Sequence, residues 1–396
     1  MRARMACTTL VIVMVTVMTL PGPAVAMERD QIHLRGLLDL TAAGGDALTL
    51  NAFNAGDSNF DPYRLRLFLD AEFDGGFEAH VQTIAIGQEH GLQQYGAYAL
   101  WTPRPDRDLH LEAGLIPWPI GTWAPRTYSN KNVLVGTPML YQLHGSLSFV
   151  ELPPSTDALL AAAGSGESGV DYGTGAHSRG VPILYDRCWD VGAIAIGATR
   201  PFEFAFGLVQ GAPSWPQTGR DGSDGKSMLG RVGVVVGPAV RLGVSASRGP
   251  WLPSAFDAGL PDGASTGDMD QLILIIDAEF QQGAFEFRGE SYVNEWEVPR
   301  IGRLDVRGAW AEGKVSVAPG LWLALRGEVM RHSPLTSSTG LRRPWDNDRE
   351  RWESGAGLRI TRDASIKLAW QRNLEHVPNS AGRTDDLIAA TLSLGF

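Results

Sequence analysis

Leu387-Ile388-Ala389-Ala390-Thr391-Leu392-Ser393-Leu394-Gly395-Phe396 closes the chain with a strict alternation. Leu392, Leu394 and Phe396 share one face, and Thr391, Ser393 and Gly395 the other, because successive side chains on a strand point to opposite sides. Tyr63 to Phe73 repeats the pattern: Tyr63, Leu65, Leu67, Leu69, Ala71 and Phe73 oppose Arg64, Arg66, Asp70 and Glu72. Leu272 to Phe280 repeats it again, with Leu272, Leu274, Ile276, Ala278 and Phe280 against Gln271, Asp277 and Glu279, and beyond Gly283 the residues Phe285 and Phe287 oppose Glu286, Arg288 and Glu290. One face suits lipid and the other water. Segments of about 10 to 13 residues exceed the usual strand of soluble sandwiches and suit a tilted strand crossing a bilayer.

The other end of the chain has the layout of a cleaved secretory signal. Arg2 and Arg4 precede an apolar run from Ala6 to Leu20, which Pro21, Gly22 and Pro23 break before an Ala24-Val25-Ala26 cleavage site. The apolar run is shorter than the roughly 20 residues of a spanning helix. The domain organisation expected is therefore a signal peptide over 1–26 and a β-barrel over 27–396.

No later stretch is apolar for long enough to form a membrane-spanning helix, and mean hydropathy is near zero although 44% of residues are hydrophobic. Lipid-facing residues at every second position produce that combination. The net charge of −10 excludes a dedicated nucleic-acid binder. Cys188 is the one cysteine beyond the signal, too few for a disulfide, and is read as packing beside Trp189.

Alternation and turn residues predict sixteen strands, near 30–42, 62–73, 76–87, 93–101, 108–116, 187–199, 201–211, 226–237, 239–249, 269–281, 283–297, 302–317, 320–331, 351–362, 364–374 and 384–396. The fold class is all-β, a 16-stranded antiparallel transmembrane barrel, and the even count places both chain ends on one side, the periplasmic one. Short turns fall at Asp74-Gly75, Arg200-Pro201, Gly237-Pro238, Gln282-Gly283, Pro319-Gly320 and Arg362-Asp363. Their parity makes 117–186 a single connection between the fifth and sixth strands, either an external loop or one folded into the pore. Within it, Ser155 or Thr156 caps a helical turn over 157–163 that Gly164 stops. Two links, 88–92 and 298–301, are short for external loops, and 102–107 is long for a periplasmic turn.

The terminal aromatic on an amphipathic strand resembles the sorting signal of bacterial outer-membrane barrels, which implies delivery through the barrel-assembly machinery by the strand ending in Phe396. Ala113-Gly114-Leu115-Ile116-Pro117-Trp118-Pro119-Ile120-Gly121 resembles the Gly-x-x-x-Pro-x-Gly segment of phosphate-selective-porin-like (porin O/P-type) proteins. Asp277-Ala278-Glu279-Phe280, with Phe285, Arg288, Gly289 and Glu290, is similar to a hairpin of the same group. The resemblance implies a 16-stranded barrel in the outer membrane of a Gram-negative cell, often a homotrimer, contacting outer-membrane lipid. A phosphate-binding ladder does not follow, since the chain has four lysines, Lys131, Lys226, Lys314 and Lys367.

The pore-lining residues expected from alternation are Arg64, Arg66, Asp70, Glu72, Arg231, Arg241, Asp277, Glu279, Glu286, Arg288, Glu290, Arg303, Asp305, Arg307, Arg326, Glu328 and Arg359. Opposed rows of such charges set up a transverse field that tunes ion preference without a cofactor. Trp101, Trp189, Trp251, Trp296, Trp322, Trp352 and Trp370 lie near predicted strand ends, where an aromatic girdle meets lipid headgroups. His33, His80, His110 and His144 lack zinc-ligand spacing, and His144-Gly145-Ser146 lacks a nucleophile elbow, so neither a metal nor an enzyme activity is expected. The function expected is passive diffusion of small hydrophilic or ionic solutes. A plugged structural or adhesive barrel, its lumen filled by 117–186, is the second reading, and a secreted soluble β-protein the third.

Overall fold

The computed structural model describes residues 31–45, 63–86, 92–148, 151–166, 180–185, 188–219, 221–223, 225–378 and 380–396. The signal-peptide reading of 1–26 and most of the Gly-rich run at 164–180 lie outside the described residues.

Sixteen antiparallel strands close into a barrel. The first half contributes β1 (Ile32–Gly45), β2 (Tyr63–Phe73), β3 (Phe77–Ile86), β4 (Gln93–Trp101), β5 (Leu109–Pro117), β6 (Trp189–Thr199), β7 (Phe202–Val209) and β8 (Ser227–Val236). The second half contributes β9 (Val240–Pro250), β10 (Asp270–Gln282), β11 (Phe285–Val298), β12 (Gly302–Ala318), β13 (Leu321–His332), β16 (Asp348–Arg359), β17 (Ala364–His376) and β18 (Arg383–Gly395). Between β13 and β16 lies a separate hairpin, β14 (Pro334–Thr336) and β15 (Arg342–Pro344). The seam joins β1 to β18 from Leu37↔Gly395 to Gly45↔Leu387, and beyond it Gly36 and Phe396 exchange backbone hydrogen bonds of 2.8 and 3.1 Å. Closure leaves no edge strand, the condition for a sheet to stand in hydrocarbon.

The predicted barrel is confirmed; five of the six dipeptide turns sit between the strands they were expected to join, and the sixth, Gln282-Gly283, starts on the last residue of β10. The fourteenth barrel strand is the clearest misplacement: it spans Asp348–Arg359 rather than 351–362. Ile360 and Thr361 look like a continuation of the alternation but donate their N–H groups to Ala364 O and form the turn. The six short turns and both described chain ends lie at one mouth of the barrel, and the long connections at the other.

The core lies inside the cylinder. Large side chains such as Leu34, Phe206, Ile276, Leu325 and Ile388 are exposed on the outer wall, whereas Ile194, Ile273, Ile275, Tyr292, Trp310 and Met330 point inward and are buried. They are buried because the described parts of the chain between β5 and β6 run through the lumen and pack against them, with Trp123, Met139, Leu140, Tyr141, Leu143, Leu147, Ile183 and Leu184 in one continuous apolar cluster. Of the tryptophans expected at a girdle, Trp101, Trp352 and Trp370 face outward. Trp189, Trp251 and Trp296 are buried in the interior, and Trp322 donates its indole N–H inward to Val133 O at 3.0 Å. Position near a strand end does not fix the face; the parity of the alternation does.

Candidate functional site: a lumen crossed by the segment between β5 and β6

The chain turns into the lumen through the Pro-Trp-Pro-Ile-Gly stretch after β5. Gly121 has φ +63, and a Cβ there would stand 2.4 Å from Glu290 Oε1 and 2.6 Å from the Tyr141 hydroxyl, so glycine is required both for the backbone and for the close approach. The next amide, Thr122 N, donates to Glu290 Oε1 at 2.5 Å, and the Tyr141 hydroxyl and Trp310 Nε1 donate to Glu290 Oε2 at 2.7 and 2.9 Å. Burial pushes the Tyr141 hydroxyl well above the usual phenol range, and the adjoining Glu290 carboxylate adds to the shift.

From there the segment is clamped to the wall by ionisable side chains that bind its backbone. The Val135 and Gly136 N–H groups donate to Glu353 Oε1 at 3.2 and 2.7 Å, and Met139 N donates to Glu328. Arg326 donates to Gly136 O at 2.7 Å and also pairs with Glu353, Glu328 and Glu312, while Arg351 donates to Thr137 O at 3.1 Å. The Lys367 ammonium sits in a cage of carbonyls from Ser129, Asn132 and Leu134 at 2.8, 3.0 and 2.8 Å. Higher up, Asp346 accepts from Ser146 N and Gly164 N at 2.7 and 2.8 Å. Buried charges persist when each is paired and hydrogen-bonded. Here the barrel wall supplies the charge and the segment supplies backbone dipoles.

A strap at Arg126–Lys131 separates two cavities near the short-turn mouth. The smaller, about 220 Å³, is lined by Arg126, Arg241, Glu279, Glu286, Arg288, Glu312 and Lys314, and the larger, about 780 Å³, by Arg35, Asp70, His80, Tyr98, Tyr128 and Lys131 among others. The strap carries one cation to each. Arg126 pairs with Glu279, whereas exposed Lys131 faces the larger cavity. Burial raises the Tyr128 hydroxyl pKa, and that hydroxyl donates to Gln82 Oε1 at 2.8 Å.

The seventeen residues expected to line a pore divide into distinct groups. Arg241, Glu279, Glu286 and Arg288 line the smaller cavity with Glu312 and Lys314, and Arg231 and Asp277 lie behind them, linked to Arg241 through Glu203. Arg231 reaches Asp277 at 2.5 Å, Arg241 reaches Glu203 at 3.0 Å and Lys314 reaches Glu286 at 2.7 Å, so acids and bases alternate along one wall and pair with each other. Arg64, Arg66, Asp70 and Glu72 lie on β2 beside the larger cavity. Arg66 is fully buried over the Tyr95 and Tyr128 rings, and Asp70 is held between Arg35 and His80. Glu290, Arg326 and Glu328 are buried in the clamps, and Arg359 is exposed beside the Arg362-Asp363 turn. Arg303, Asp305 and Arg307 point the other way: on β12 they alternate with buried Leu304 and Val306 and face outward, where Arg303 pairs with Glu295 and Asp305. Sequence reasoning followed the charges of this strand rather than its aliphatic residues, which here face the interior cluster.

Asp39, Asp346, Arg349, Arg351, Glu353 and Lys367 were not anticipated. Arg349, Arg351 and Glu353 share one face of β16, a visible signal, but nothing local shows that their partner is a distant backbone.

No protein-family model matches the chain, and neither does any curated protein. Solved structures do match over nearly its whole length. The fold is shared. The anion-selective porin of Comamonas acidovorans aligns with a TM-score of 0.56 at 11% identity, covering 92% of this chain and 99% of its own. The outer membrane channel DcaP of Acinetobacter baumannii aligns at 0.54 and 9%, covering 95% and 100%. OmpT of Vibrio cholerae, an outer membrane protein in its trimer form, aligns at 0.55 and 10%, covering 92% and 99%. The architecture is a porin-type barrel.

Proposed function

We propose that this chain is an outer-membrane channel of the porin type, passing small hydrophilic or ionic solutes by diffusion along the polar cavities beside the strap. The observation that carries this reading is the closed cylinder with an aliphatic exterior and charged, water-accessible cavities inside. The matched structures described as a porin and as a channel support it. In this reading the short-turn mouth, with both described chain ends, faces the periplasm, and the chain arrives there by export and is inserted through its C-terminal strand. A homotrimer agrees with the trimer form of the Vibrio protein.

The resemblance to phosphate-selective porins supports the porin class rather than the solute. Lys367 is buried in its carbonyl cage, Lys226 pairs with Asp221 outside the cavities, and Lys131 and Lys314 line different cavities. Four such placements make no ladder. With acids and bases paired along the wall, reversal potentials of the purified protein in salt gradients are expected to show modest selectivity.

One observation favours a second reading, a plugged barrel: the apolar cluster welds the lumenal segment to the walls of β5 to β13. Single-channel recording in a planar bilayer decides between them. Discrete conductance steps from wild-type protein support the channel. Their absence both in wild type and in a variant with loosened clamps, Glu353→Ala, makes the protein a plugged barrel.

A further inference from the structure

The larger cavity combines an aromatic lining with donors that are not in use. Its volume of about 780 Å³ lies in the range that takes a small organic molecule, whereas the 220 Å³ of the smaller falls below that range. The rings of Phe68, Tyr98 and Tyr128 are half-buried along it, and Trp189 backs them, packed so closely on Gly96 that a Cβ there would stand 2.5 Å from the indole. The acids of the cavity are already engaged. Asp70 has one oxygen on His80 at 2.7 Å and the other on Arg35, and Asp363 stands beside Arg362 at 4.0 Å. Two donors are not. Gln82 is 5% exposed; its Oε1 accepts from the Tyr128 hydroxyl at 2.8 Å, while its Nε2 meets no acceptor among the described residues. Lys131, exposed on the strap, enters no ion pair among the described residues. A buried amide N–H without an acceptor is costly, and flat rings favour a flat partner. Both unengaged groups donate, so the occupant they suit accepts.

We propose that the larger cavity binds an aromatic carboxylate, its ring against Phe68, Tyr98 and Tyr128 and its carboxylate drawn to Lys131 and the Gln82 amide. As a stopping point on a path through the barrel, this site rests on the channel reading above. A charge-assisted hydrogen bond from the ammonium selects the anion, and the aromatic lining selects a ring over a short-chain acid. His80, stacked on Tyr98 at 4.8 Å between ring centroids and tied to Asp70, holds that ring in position. A neutral ring would leave Lys131 without a counter-charge, and a small inorganic anion would leave the aromatic lining uncovered. An aromatic carboxylate meets both needs at once.

The test is equilibrium dialysis of the purified protein in neutral detergent at fixed ionic strength, comparing radiolabelled benzoate with benzamide and acetate. Wild type is expected to bind benzoate about tenfold or more tightly than either, since benzamide lacks the charge and acetate the ring. Lys131→Gln, an exposed change that breaks no ion pair, is expected to bring benzoate down to the level of benzamide. Tyr98→Leu is expected to bring it toward the level of acetate, with heat-modifiable gel migration showing that the barrel of each variant is intact. Equal binding of the three probes by wild type overturns the proposal, as does undiminished benzoate binding by either variant. Planar-bilayer conductance of the same preparations is read in parallel. Channel steps without a benzoate preference sink this site alone, whereas a benzoate preference without steps keeps the site and sinks the channel reading alone.

Discussion

Lys367 and Glu353 do opposite jobs in one device, the first binding carbonyl oxygens and the second amide hydrogens of the same lumenal segment. Replacing Glu353 with Ala leaves Arg326 buried without one of its carboxylates and two backbone amides without an acceptor. Breaking a buried pair costs about 3 to 5 kcal/mol, and here that loss falls on the docking of the segment rather than on the closed sheet. Limited proteolysis is expected to cut Glu353→Ala within 127–139 under conditions where wild type resists. Lys367→Met is expected to release the neighbouring stretch of the segment in the same assay. Asp346 gives the segment an acid sensitivity. Burial raises its pKa, but His332, Arg349 and the amides of Gly164 and Ser146 outweigh that and hold the carboxyl below its ordinary value. A carboxylate depressed in the folded state stabilises fully above the unfolded pKa of about 3.9, and the contribution is lost as pH falls through the lower folded value. The adjoining Trp345 emission should therefore hold steady from neutrality to about pH 4 and shift below it. In Asp346→Asn that acid step is expected to vanish, on a less stable baseline at neutral pH.

At the scale of elements, the lumenal segment has two parts with separate anchors. The helix α1 (Thr156–Ala161) is capped by Ser155, whose side chain accepts from Ala158 N at 3.2 Å, and the chain beyond it turns at Gly164 with φ +78. It is fastened to the β14–β15 hairpin, with Asp157 accepting from Ser338 N at 2.9 Å and Arg343 donating to Leu160 O at 2.7 Å. The strap is fastened to the wall of β1, β3, β10 and β17 instead. Freeing α1 by Asp157→Ala with Arg343→Ala is expected to leave single-channel conductance unchanged, whereas Lys367→Met is expected to raise it. The barrel strands, their turns and the capped helix were legible in the sequence because each is written locally, in alternation, turn dipeptides and a cap. The clamps were not, because they join side chains to backbone 168 to 238 residues apart, and backbone amides leave no trace in residue identity. The outward face of Arg303, Asp305 and Arg307 was missed for the complementary reason: β12 buries Leu304 and Val306 against a lumen that is apolar at that level.

For the whole molecule, closure is completed by the residues at the seam. The Phe396 ring covers Gly36, where a Cβ would fall 2.1 Å from the ring, and the two residues exchange their backbone hydrogen bonds beyond the last ladder pair. Deleting Phe396 removes both bonds and the aromatic cover. Unheated samples on a semi-native gel are expected to show less of the compact, fast-migrating form than wild type, while Gly36→Val is expected to displace the ring and do the same to a smaller degree.

The wall groups that hold the lumenal segment are encoded far downstream of it: Glu290, Arg326, Glu328, Glu353 and Lys367 all follow its last residue by about a hundred positions or more. On the export route proposed above, a polypeptide emerging from its N-terminal end carries Trp123, Leu140 and Tyr141 through the aqueous space before the wall groups that receive them have followed. On that route the lumenal stretch, with its many apolar side chains, is the part most in need of a holding chaperone, and a cell short of one should accumulate chains nicked between β5 and β6.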